Sequence, residues 1–113
     1  MTVVQKSSLI ALARHQLQIA QEAPSGRSAH TVFGGHEQVM RQTVIALRAG
    51  SALNEHNNPG EATVHVLHGR VRLLAGELEW SGSPGDLLVV PQARHGLEAV
   101  EDSVVLLSVA KRR

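Results

Sequence analysis

Cysteine and tyrosine are absent from this chain of 113 residues, and its aromatic side chains are only Phe33 and Trp80. Without cysteine there is no disulfide, no thiolate metal ligand and no cysteine nucleophile, and the chain suits a reducing cytoplasm. Two aromatic rings leave almost nothing for bases to stack on, and a formal net charge of +1 supplies no basic face, so nucleic acid is not an expected partner. Long apolar runs are also missing. The stretch Leu9 to Ala13 is broken at once by Arg14 and His15, too early for a signal-peptide core or a membrane span. No repeat and no low-complexity segment interrupts the chain. What remains is 42% hydrophobic and 19% charged, the composition of one soluble globular domain whose core must be aliphatic.

The period of the pattern changes once. From Ser7 to Glu22, Ile10, Ala13, Leu17 and Ala20 recur at helical spacing behind a serine N-cap, and Pro24, Ser25 and Gly26 end the run. Residues 1–26 are therefore expected to form a helix docked outside the rest. After Arg27, short runs of Val, Leu, Ile and Thr alternate with turn residues every 8 to 12 positions, which predicts an all-β barrel or sandwich over 27–113. The strands fall near 28–33, 39–47, 52–56, 62–68, 71–75, 78–81, 87–91, 95–100 and 103–110. Leu87 to Val90 and Val104 to Leu107 are apolar on both faces. A second sheet is expected on one side and the helix or another subunit on the other, which implies a homodimer.

Gly50, five residues, His56, then Asn57-Asn58-Pro59-Gly60-Glu61 and a strand ending in His68-Gly69 resemble the first motif of the cupin superfamily, G-x5-H-x-H-x3or4-E-x6-G. Gly85-Asp86-Leu87-Leu88-Val89-Val90-Pro91 followed by His95 resembles the second, G-x5-P-x-G-x2-H-x3-N. The resemblance covers about Gly50 to Ala99 and implies a cupin-type double-stranded β-helix, or jelly roll, preceded by one α-helix. In that family two His and one Glu of the first motif and one His of the second converge on a divalent metal. Here His56 matches the first ligand, Asn58 stands at the second, Ala62 stands where the Glu belongs, and His95 comes one residue early.

Two readings follow from this reduced set. In one, the protein binds a small organic molecule without redox chemistry, with His56, Asn58 and His95 as orienting groups in an aliphatic pocket. In the other it is a metal-dependent enzyme, an oxygenase or isomerase by resemblance. Such an enzyme would hold Mn, Fe, Ni or Zn through His56, His95 and Glu61, the last reaching in only if the Pro59-Gly60 turn or a bulge swings it round. Cupin-type sensing domains of regulators offer a third role, which would need a separate DNA-binding partner. His15, His30, His36, His65 and His68 read as solvated or packing residues. No serine stands in a nucleophile elbow, and no glycine turn has the context of a phosphate loop.

Overall fold

A computed structural model describes residues 3–56 and 60–111. Its order is α1 (Leu9–Glu22), β1 (Arg27–Phe33), β2 (Met40–Leu47), β3 (Ala52–His56), β4 (Gly60–His68), β5 (Val71–Ala75), β6 (Leu78–Gly82), β7 (Leu87–Val89), β8 (His95–Ala99) and β9 (Ser103–Lys111). All strand pairs are antiparallel. One sheet runs β1-β2-β9-β4-β7 and the other β3-β8-β5-β6. This is the all-β jelly roll with one helix that the sequence predicts.

The two sheets pack face to face because alternate residues of each strand are apolar. Ile45, Leu47, Ala62, Val64, Val66, Val90 and Val105 from the larger sheet meet Val71, Leu73, Leu97 and Ala99 from the smaller one. The opposite parity of the larger sheet carries a second apolar layer, Val44, Ala46, Val104 and Leu106, and α1 covers it. Residues 44–47 of β2 and 103–106 of β9 are therefore buried on both faces.

Helix α1 begins where Ser8 Oγ accepts a hydrogen bond from the Ala11 N–H at 3.2 Å. Its buried stripe differs from the expected one. Ala13, Leu17 and Ala20 face the sheet as expected, but Ile10 is 71% exposed, and Leu9, Leu12 and Gln16 complete the buried side in its place. The spacing 9, 13, 16, 20 follows one helical face, and Ile10 lies about 100° round from Leu9. Two polar ties hold the helix in place. The Ser28 hydroxyl donates to the Gln16 carbonyl at 2.6 Å. Asp102 accepts from the Ala49 N–H at 2.8 Å and from Gln21 Nε2 at 2.9 Å, which joins the helix to the β8–β9 turn. Those two hydrogen bonds, together with the charges of His68 and Arg48, hold the Asp102 carboxyl below its ordinary range despite some desolvation. Asp86 behaves as its turn position suggests and accepts from the Ser83 N–H at 2.8 Å.

Helical coverage stops short of β7. Leu87 and Val89 remain 60% and 75% exposed on this edge strand, so the second apolar face expected there has no cover within one chain. No helix among the described residues is long and apolar enough to cross a membrane.

Candidate functional site

The ladder between β3 and β8 places His56 directly opposite His95, past an irregularity that follows the Leu53–Leu97 pair. Positions separated by some forty residues thus become neighbours at one end of the sheet. His56 is located here by its backbone register. Asn58 lies outside the described residues.

His95 is only 6% exposed and lines a small space of about 30 Å³ between the sheets, with Ile45, Leu53, Val64, Val90 and Leu97 among its walls. Its Nδ1 lies 2.9 Å from the Ala93 carbonyl oxygen. A carbonyl can only accept, so Nδ1 carries the proton. In the neutral ring the lone pair then belongs to Nε2. The aliphatic pocket expected here is much smaller than an organic ligand requires. Room for about two waters is what remains, because Leu and Val side chains from both sheets fill the interior.

The proposed carboxylate ligand is not brought to this place. Gly60, Ala62, Val64 and Val66 are buried along β4, whereas Glu61 is exposed on the alternate parity. It borders a shallow outer cleft with Met40, Thr63 and Ser108. No bulge turns it inward, since β4 and β9 keep regular register from Gly60–Lys111 to Val66–Val105. At the family's glutamate position the methyl group of Ala62 is packed into the core. No three His, Cys, Asp or Glu side chains among the described residues stand close enough to share a metal ion. The donors that can be placed do not fit the family's metal, because the required carboxylate is replaced by a methyl and its nearest substitute points outward.

One residue at this end went unnoticed in the sequence. Arg41 shares the inward parity of Ile45 and Leu47 on β2 and lies in register with Val109, which in turn pairs with Ala62. The Val90 N–H closes the row by donating to the Ala62 carbonyl at 2.9 Å. Arginine at a strand end normally reads as a solvated terminus, and only the register reveals its row. Nearby, the Arg94–Glu55 ion pair at 3.0 Å is well exposed and contributes little.

A larger hollow of about 410 Å³ lies elsewhere, between α1 and the outer face of the larger sheet, walled by Leu9, Ala13, Leu17, Leu67 and Val104. It is separate from the histidine pair.

No family model matches the chain and no curated protein matches it. Solved structures do. A protein from Thermus thermophilus is similar at 27% identity and TM-score 0.76, with 97% of this chain and all of the other covered. An RmlC-like cupin from Desulfovibrio desulfuricans is 26% identical over 74% of this chain and 81% of its own, with TM-score 0.66. A cupin superfamily protein from Desulfitobacterium hafniense shares the fold at 15% identity and TM-score 0.71, over 83% and 88% of the two chains. With the nine strands of its described residues arranged as a two-sheet jelly roll, the chain shares the cupin fold and is similar to these small cupins.

Proposed function

We propose that this protein is a small-molecule-binding domain that takes its ligand at the sheet end where His56 pairs with His95, with Asn58 as a further orienting group, without a metal and without redox chemistry. The observation that carries the reading is His95: a buried imidazole, locked in one tautomer by Ala93, in an otherwise aliphatic interior. A buried polar ring with a fixed tautomer is suited to orienting a ligand. The 30 Å³ space admits a head group of a few atoms, and the rest of such a ligand stays at the mouth. The absence of cysteine is consistent with a cytoplasmic setting.

The test is an amide-resolved NMR titration with three small probes: glycolate, glycolamide and ethylene glycol. At least one is expected to shift the amides of Ala93 to Leu97 and of Leu53 to His56, and His95→Leu should abolish those shifts while keeping the native spectrum elsewhere. If no probe perturbs these residues, the binding reading fails. Metal content is measured on protein prepared without added metal. A stoichiometric ion whose removal lowers Tm would overturn it in favour of the metal-dependent enzyme.

We also propose that the protein is a homodimer through β7, where Leu87 and Val89 stand exposed beside His65 and Thr63 of β4. Exposed neighbouring aliphatic side chains on an edge strand favour cover by a second copy. Sedimentation velocity is expected to give a dimer for the native chain and a monomer for the double variant Leu87→Lys, Val89→Lys. A native monomer, or a dimer that survives both lysines, would refute this arrangement.

A further inference from the structure

The Arg41 side chain carries an unmatched polar atom on the larger sheet. Its Nε is buried and has no hydrogen-bond partner. Arg72 shares an unpartnered Nε, but its charge is met by Glu98 at 2.8 Å. For Arg41 no carboxylate partner exists among the described residues. Arg41 as a whole is half-buried, but a buried N–H without an acceptor is costly, and native proteins retain such groups where something else supplies the acceptor. Ala62 stands in the same row, at the position where the family places a carboxylate. In that row a methyl thus replaces the family's carboxylate, and a cationic side chain stands two strands away.

We propose that the site takes a small carboxylate, bound through its oxygens by the Arg41 guanidinium on the larger sheet, with His95 forming the facing wall on the smaller one. This rests on the reading that the ligand enters at the His95 end, and it names the chemical class. Arginine presents a planar fork of donors matched to the two carboxylate oxygens, so it selects that group over an uncharged amide of the same shape. The carboxylate supplies the acceptor that Arg41 Nε lacks.

The glycolate and glycolamide arms of the titration decide the matter. Glycolate is expected to bind at least tenfold more tightly than glycolamide at the Ala93–Leu97 amides. Arg41→Met should erase that preference, and Arg41→Lys should retain part of it because the charge remains while the fork is lost. Thermal melts separate binding from scaffolding. Arg41→Met is expected to melt at or above the native temperature, since it removes an unpartnered buried donor. Equal affinity for the two probes, or a glycolate preference that survives Arg41→Met, would overturn the carboxylate assignment while the binding reading stands. If neither glycolate nor glycolamide shifts these amides while ethylene glycol does, the assignment again falls alone. Silence from all three removes both.

Discussion

Leu97→Ala is expected to cost about 2–5 kcal/mol of stability, the range for emptying a buried leucine site. Leu97 is 5% exposed at the middle of the smaller sheet, paired with Leu53 on β3 and Leu73 on β5. It borders the 30 Å³ space beside His95 and belongs to the aliphatic cluster between the sheets. Truncation removes its packing and joins the new void to the existing one. The part of the cost due to the void grows by about 24 cal/mol per Å³ of volume that fails to collapse. Urea unfolding measures it as a lower midpoint at unchanged slope. The same substitution deepens the floor under the imidazole, so lactate, with its extra methyl, should gain affinity relative to glycolate. A loss below about 1 kcal/mol would mean that the interior relaxes around the missing side chain and that shape does not limit the site.

Gly69→Ala is the second substitution with a large expected effect. Gly69 joins β4 to β5 with φ +80°, where a side chain is strained, at a cost of about 1–3 kcal/mol. An added Cβ would also run into the Asp102 carbonyl oxygen and the Ser103 side chain. Ser103 is fully buried and bridges Arg70 and Glu101, donating from its hydroxyl and accepting from the Arg70 N–H at 3.0 Å. It cannot move aside without losing those bonds. Gly76 is the matched control, because its φ is +60° and nothing lies within 4 Å of the added atom. Both alanine variants should be destabilised, and Gly69→Ala clearly more. Equal midpoints would show that backbone strain alone matters and that the β4–β5 turn yields to the contact.

Much of the architecture was written in local pattern. Every strand appears within a few residues of its sequence position because turn residues bracket each apolar run, and β7 ends at Val89 just ahead of Pro91, which has no N–H to extend a ladder. The pairing of His56 with His95 was legible only through the family motif, since nothing local links β3 to β8. Two features escaped. Ile10 is interchangeable with Leu9 in a helical count, and which of them is buried depends on how α1 is rotated on the sheet. Arg41 could not be assigned a face until β2 was aligned with β9, because parity has meaning only relative to a register. The outward direction of Glu61 followed directly from alternation along β4, which keeps its period from Gly60 to Val66.

The lone tryptophan gives the molecule an internal optical probe. Trp80 lies on β6, the edge of the smaller sheet, opposite Leu73 and 41% exposed. With no tyrosine in the chain, ultraviolet emission comes almost entirely from this indole. Fluorescence therefore follows fraying of that margin, and a melt recorded this way runs ahead of one that follows the aliphatic centre whenever the edge opens first.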